Sequence, residues 1–301
     1  MDYNSILKFS SDKVIKYLIN EPLSKHTTFK IGGSADVFLN IKNINELKKV
    51  TALLKKESLP YFIIGNGSNL LVSDDGYRGI IIKLENEFDK IFVNDEVFLC
   101  CGSAVKLSNA CIKAMELGLS GLEFAYGIPG TCGGAVFMNA GAYGGEISES
   151  VFESSHIDNN GEIGVFKQKD LMFSYRKSIY SQNKFTITYI KFRLSKGNKI
   201  EIKRKMDDLM QRRNCKQPLN MPSAGSIFKR PEGYYAGTLI EQCGLKGKTI
   251  GGAVVSEKHC GFIINKGNAT CSDVIKLIEF IKFEVLRQKG VKLEEEIKIL
   301  K

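Results

Sequence analysis

Tryptophan is absent from the 301 residues, and proline (6) and histidine (3) are scarce. No site can rest on an indole platform, and three histidines far apart in the chain give a zinc site little support. The eight cysteines form no CxxC pair, and a chain of this length builds its core without disulfide staples. Most stand in apolar company, as in Leu99-Cys100-Cys101, which reads as reduced, partly buried thiols; no metal is expected. No run approaches the ~20 apolar residues of a membrane span. Met1-Asp2-Tyr3-Asn4 also lacks the basic-then-apolar layout of a signal peptide. A cytoplasmic protein without membrane insertion is expected.

The charge is lopsided, +10 with a pI near 9.1. Yet no five basic residues are consecutive, and Lys203-Arg204-Lys205 and Arg212-Arg213 share their stretch with Asp207 and Asp208. No recognition helix, aromatic RNA-binding pair or basic arm is visible, so nucleic acid is not an expected partner. The surplus is mostly solvated surface, with some left to steer phosphorylated ligands.

Apolar spacing predicts helices over 4–19, 44–57, 105–117, 199–213, 236–243 and 272–288. Strands are predicted at 61–64, 70–72, 79–84, 91–93, 97–101, 151–157, 163–167, 185–194, 249–254, 262–264 and 294–300. Ser195-Lys-Gly-Asn198 is the best linker candidate.

Two glycine-rich segments carry the chemistry. Gly65-Asn66-Gly67-Ser68-Asn69 lies between two expected strands, where glycines let consecutive N–H groups converge on an anion. Without GxGxxG spacing or a following Lys-Ser/Thr it is neither a Rossmann fingerprint nor a P-loop, and alone it reads first as a hairpin turn. From 118 to 145, nine of 28 residues are glycine. A structural loop this rich in glycine costs much chain entropy, and a large cofactor packed against main chain explains it better.

Six ordered blocks now resemble one family. They are Thr27-Thr-Phe-Lys-Ile-Gly-Gly33, the Gly65–Asn69 loop, Gly127-Ile128-Pro129-Gly130 running on to Met138-Asn139-Ala140-Gly141-Ala-Tyr-Gly-Gly-Glu146, Tyr175-Arg176-Lys-Ser178, Ser223-Ala-Gly-Ser226-Ile-Phe-Lys229-Arg230, and Leu293-Glu-Glu-Glu296-Ile. Together they resemble the shorter form of the UDP-N-acetylenolpyruvoylglucosamine reductase (UDP-N-acetylmuramate dehydrogenase) family, over nearly the whole chain.

The resemblance implies an α+β architecture. Residues 1–85 and 86–196 would be two subdomains of a p-cresol-methylhydroxylase-type FAD-binding fold, and 197–301 a C-terminal α+β substrate domain. FAD would be held non-covalently by Gly65, Asn66, Gly67, Ser68, Asn69, Gly127, Ile128, Pro129, Gly130, Gly133, Gly134, Asn139, Ala140 and Gly141. NADPH would reduce it, and an enolpyruvyl sugar nucleotide would then take the hydride. By resemblance Ser226 donates the proton, Arg176 stabilises the carboxylate and developing enolate, and Glu296 assists. Tyr175 joins them in the substrate site, with Lys216, Lys229 and Arg230 as phosphate candidates from charge and position. Cys260 and Gly261 depart from the family's usual Ala and Asn. A monomer is expected, and an oxidase of the same fold is the competing reading.

Overall fold

The computed structural model describes residues 2–301, the Asn94 side chain excepted. The chain forms two compact units, each assembled from separated stretches. The first comprises residues up to Ile19, Val37–Asn66 and Gly79–Arg212; the second comprises Asn20–Asp36, Gly67–Arg78 and Arg213–Lys301.

In the first unit, Ile44–Lys56 is a helix because Asn43 caps it, its side chain accepting the Glu46 N–H at 2.9 Å. Leu47, Val50 and Leu54 recur at three- and four-residue spacing and are buried against Ile80 and Ile82. Each such side chain contributes roughly 1.5–3 kcal/mol on burial. Tyr61–Ile64 runs parallel to the strand Tyr77–Leu84, within a four-stranded sheet that also holds Lys16–Pro22 and Ser34–Ile41. A five-stranded antiparallel sheet follows in the order Ile163–Lys167, Val151–Ile157, Thr186–Arg193, Phe98–Gly102, Ile91–Asp95. The helices Leu107–Glu116 and Cys132–Met138 share its core through Ala110, Ala114, Ala135 and Val136.

In the second unit, Ser223–Ser226, Phe262–Asn265, Ala253–Val255 and Thr249–Ile250 make a four-stranded antiparallel sheet. The helix Cys271–Lys289 packs on it through Val274, Leu277, Ile278 and Ile281. Thr270 opens that helix with a reciprocal cap to Asp273, and Gly290 closes it at φ 69°. The strand Lys298–Leu300 pairs in parallel with Leu70–Val72.

Four expectations are revised. The first helix ends at Asp12 rather than 19, and Val14 turns left-handed at φ 57°. The apolar residues after it serve the strand Lys16–Pro22, whose β-branched and aromatic content suits extended chain. Residues 249–254 form a hairpin instead of one strand, because Gly251 at φ 55° reverses the chain. The final strand is Lys298–Leu300, with Glu294–Ile297 joined to Ile227–Lys229 by single hydrogen bonds. Ser195–Lys196, read as linker, pair with Leu119–Ser120. All eight thiols are free, seven of them buried. Among the described residues no helix is long and apolar enough to cross a membrane.

Candidate active site

In the first unit the end of Tyr61–Ile64 meets the second glycine segment. The Asn66 side chain donates to the Pro129 carbonyl at 2.6 Å, and a Cβ on Gly65 would lie 2.7 Å from Thr131 Oγ1. Main-chain bonds hold the segment from beneath: Leu107 N–H to Gly130, Cys132 N–H to Val105 and Gly133 N–H to Ser103. Thr131 caps the helix Cys132–Met138, accepting the Gly134 N–H at 3.2 Å. A Cβ on Gly133 would come within 2.8 Å of Ser103 Cβ, so glycine there is a packing requirement.

Gly65, Asn66, Pro129 and Gly134 stay exposed on this platform. Among the described residues the Asn66 N–H donates to no protein acceptor. Exposed, nearly side-chain-free backbone with an unclaimed donor fits the diphosphate of a dinucleotide such as FAD.

The same unit carries Arg176. Ser174 and Lys177 exchange backbone hydrogen bonds of 3.1 and 3.0 Å, leaving Tyr175 and Arg176 at the turn. Arg176 is left-handed, φ 58°, a conformation that costs a side-chain-bearing residue about 1–2 kcal/mol. Its guanidinium donates to the Gly141 carbonyl at 3.2 Å and the Asn139 carbonyl at 3.5 Å, and lies 4.8 Å from the Tyr175 ring centroid. Ile128 is half-buried, its N–H bonded to the Ala125 carbonyl. Ala140 donates its N–H to Ala135 at the close of the helix. Asn139 is 1% exposed, and both its side-chain donors go to protein acceptors, Glu146 and Ser174. A cofactor contact at Asn139 therefore falls to its backbone.

In the second unit Gly67 is left-handed, φ 59°, and a Cβ there would sit 2.2 Å from the His26 carbonyl. The next residue, Ser68, is half-buried. The Asn69 side chain donates to the Glu296 carbonyl at 3.1 Å, joining a cofactor candidate to a catalytic one.

Ser226 and Glu296, seventy positions apart in sequence, are also brought together. The Glu296 N–H donates to the Ile227 carbonyl at 2.7 Å, Phe228 bridges Glu295, and the Lys229 N–H reaches the Glu294 carbonyl at 2.8 Å. Ser226 follows a register shift in its strand, opposite Phe262, and its Oγ donates to the Phe228 carbonyl at 3.1 Å. The three glutamates now differ. Glu294 pairs with Lys229 at 3.1 Å and Glu295 with Lys282 at 2.8 Å. Burial works to raise the Glu295 pKa, but the Lys282 hydrogen bond, a backbone hydrogen bond and the charges of Lys282 and Lys229 together outweigh it, and the net is downward. Lys229 thus meets a carboxylate in this structure. Arg230 lies 4.0 Å over the Tyr235 ring, and Lys216 is exposed.

Sequence reasoning passed over Thr131 and gave His259, beside the departures at Cys260 and Gly261, no role. Thr131 was legible as a Thr-x-x-Gly cap before a short helix. His259 gave no pattern: its Nδ1 accepts the Gly261 N–H at 3.1 Å, and a Cβ on Gly261 would lie 3.4 Å from Ser226 Oγ. Burial lowers the His259 pKa, so the neutral ring that can accept this bond is favoured.

Comparison with known proteins extends the same arrangement. Residues 35–166 match the model of an FAD binding domain, and 217–300 that of the UDP-N-acetylenolpyruvoylglucosamine reductase C-terminal domain. The chain is 47% identical over 299 residues to UDP-N-acetylenolpyruvoylglucosamine reductase of Clostridioides difficile (strain 630), covering 99% of this chain and 97% of that one. It is 49% identical over 285 residues to the reductase of Caldanaerobacter subterraneus subsp. tengcongensis, covering 95% and 94%. The crystal structure of UDP-N-acetylenolpyruvylglucosamine reductase from Thermus caldophilus superposes with a TM-score of 0.82 at 34% identity, over 95% of this chain and 99% of that one. With near full-length identity and both halves matched, the chain belongs to the UDP-N-acetylenolpyruvoylglucosamine reductase family, in its short form.

Proposed function

We infer that the protein is an FAD-dependent NADPH oxidoreductase that reduces the enolpyruvyl group of UDP-N-acetylglucosamine enolpyruvate to UDP-N-acetylmuramate, in peptidoglycan precursor synthesis. The near full-length identity to reductases of that name carries this reading. The functional division proposed is 1–85 and 86–196 for FAD and 197–301 for the sugar nucleotide.

When bound, FAD would supply hydride chemistry, with NADPH as the source and the terminal methylene carbon of the enol ether as the acceptor. Main chain at Gly65–Asn69, Gly127–Gly130, Gly133–Gly134 and Asn139–Gly141 holds the cofactor, non-covalently. His26 Nε2 lies 3.0 Å from Glu21 Oε1, which supports a structural duty for that histidine.

Hydride arrival leaves enolate character beside the substrate carboxylate. Arg176, always charged, holds that carboxylate and stabilises the developing negative charge, an effect worth several kcal/mol where water is excluded. Ser226 then gives its hydroxyl proton to the adjacent carbon. Its Oγ–H leaves the Phe228 carbonyl to do so, and Glu296 assists beside it. Serine is a weak acid, but a strongly basic enolate and a pre-positioned donor make the transfer feasible. Tyr175 stacks near the Arg176 guanidinium, and Lys216, Lys229 and Arg230 meet the diphosphate, Lys229 by leaving Glu294. The protein works as a cytoplasmic monomer on small molecules, without nucleic acid.

The test is an anaerobic cycle followed by the visible spectrum. A flavin that bleaches with NADPH and reoxidises only when the enolpyruvyl sugar nucleotide is added is expected. A yellow protein indifferent to that substrate would redirect the reading to an oxidase of the same fold. A colourless protein that cannot be reconstituted with FAD would sink it.

A further inference from the structure

Arg176 sits on a strained turn residue whose place in the first unit depends on what fixes the turn. Both candidate anchors lie at the end of the helix Cys132–Met138. Ser178 Oγ donates to the Phe137 carbonyl at 2.8 Å. Asn139, left-handed at φ 44° and 1% exposed, closes the helix and reaches outward with its side chain.

That carboxamide makes three hydrogen bonds that tie the Glu146–Ser148 stretch to the turn opened by Ser174. Its Nδ2 donates to Glu146 Oε2 at 2.9 Å and to the Ser174 carbonyl at 3.1 Å, while its Oδ1 accepts the Ser148 N–H at 3.1 Å. Ser174 opens the turn that bears Arg176, and the main-chain carbonyls of Asn139 and Gly141 receive the guanidinium. Glu146 is fixed in turn by the strand pair Gly141–Ala142 with Gly145–Glu146, and by its own N–H donating to Glu149 Oε1 at 3.2 Å. A Cβ on Gly141 would meet the Gly145 carbonyl at 2.9 Å and Arg176 Nη1 at 3.2 Å, so hairpin and guanidinium are in close contact.

We propose that Asn139, oriented by Glu146, is a positioning residue that sets the backbone turn and guanidinium of Arg176 for the step in which substrate is reduced. This rests on the assignment of Arg176 to that step. The amide is required because both partners of Nδ2 are acceptors. A carboxylate of the same shape would face a carboxylate and a carbonyl at a residue only 1% exposed. Misplacing a charge-stabilising group by about 1 Å costs roughly 10²-fold in rate.

The test uses the FAD-loaded enzyme and times the two half-reactions separately. Asn139→Asp and Glu146→Ala keep the flavin spectrum and NADPH-driven bleaching, and slow substrate-driven reoxidation about 10²-fold. Glu146→Gln, which keeps an oxygen acceptor, recovers most of the rate lost in Glu146→Ala. In an Arg176→Ala background, already slow at the same step, Asn139→Asp adds little. Should Asn139→Asp fail to fold, the Glu146 pair carries the same comparison. The proposal is overturned if Asn139→Asp loses FAD or slows bleaching equally, for then the residue serves the cofactor or the fold. It is also overturned if reoxidation is untouched in the Asn139 and Glu146 variants while Arg176→Ala is slow, which leaves the Arg176 assignment standing. Normal reoxidation in Arg176→Ala would overturn that assignment and the proposal with it.

Discussion

Arg176 and Ser226, one in each unit, are presented by opposite backbone devices. At the 174–177 turn the candidate residue itself is left-handed, φ 58°, and the strain is offset by hydrogen bonds to main-chain carbonyls. At the other site the strain moves one residue back, to Gly225 at φ 76°, and Ser226 sits in sheet register opposite Phe262. Glycine tolerates that φ freely, whereas arginine does not. The difference shows where side-chain identity is constrained by chemistry and where by backbone.

Five substitutions sharpen this contrast. The largest effect expected is on Ser226→Ala: flavin bleaching by NADPH persists, while substrate-driven reoxidation falls about 10²–10⁴-fold, the usual contribution of a positioned proton donor. Unchanged reoxidation in stopped-flow would remove Ser226 from the mechanism. Next comes Gly67→Ala, whose Cβ would press to 2.2 Å on the His26 carbonyl in a left-handed residue. A loss of about 2–3 kcal/mol in urea unfolding is expected. Gly225→Ala, with nothing within 4 Å of the new Cβ, should lose only about 1 kcal/mol. Equal losses would show that packing does not separate the two glycines.

Arg176→Gly inverts the usual expectation. Activity should collapse while stability holds or rises by up to about 1 kcal/mol, since glycine relieves the left-handed strain. A fall of several kcal/mol would mean that the guanidinium bonds outweigh the strain.

The smallest effect concerns acid. His156, stacked with Phe166 and with Phe185 at centroid distances of 4.3 and 5.0 Å, has its pKa lowered by burial, against the opposing pull of Asp158. His259 is lowered for the same first reason. Below the ordinary value of 6.5 the unfolded chain takes up protons that the folded chain resists. Stability is therefore full above that pH and declines as pH falls through it, by at most about 1.4 kcal/mol per pH unit for each histidine. His156→Phe should flatten part of the decline in urea midpoints measured from pH 7 to 5. An unaltered slope would acquit this ring.

Parts of the fold and of the candidate site could be read from residues in line. The helix Ile44–Lys56 announced itself by Leu47, Val50 and Leu54, and Gly118 closed the helix before it as expected, at φ 70°. Density of glycine marked 118–145 as a platform, and the structure puts Gly65, Pro129 and Gly134 on its exposed side. Other features had no local signal. The apolar run after Asp12 is equally at home in a helix or a strand, and the neighbouring sheet settled it. Asn139 looked like one more small polar residue of the glycine segment, and only folding brought Glu146, Ser148 and Ser174 around its amide.

The sequence by itself determined where backbone had to be bare, because a missing Cβ is a property of one residue and needs no partner to be recognised. It also carried the family, through six short blocks in order. Only the tertiary structure decided how three adjacent glutamates differ: Lys229 and Lys282, 65 and 13 positions away, take Glu294 and Glu295, while the Glu296 N–H is tied to the Ile227 carbonyl beside Ser226. Charge pairing depends on distance in space, and no periodicity along a chain encodes a contact across seventy residues.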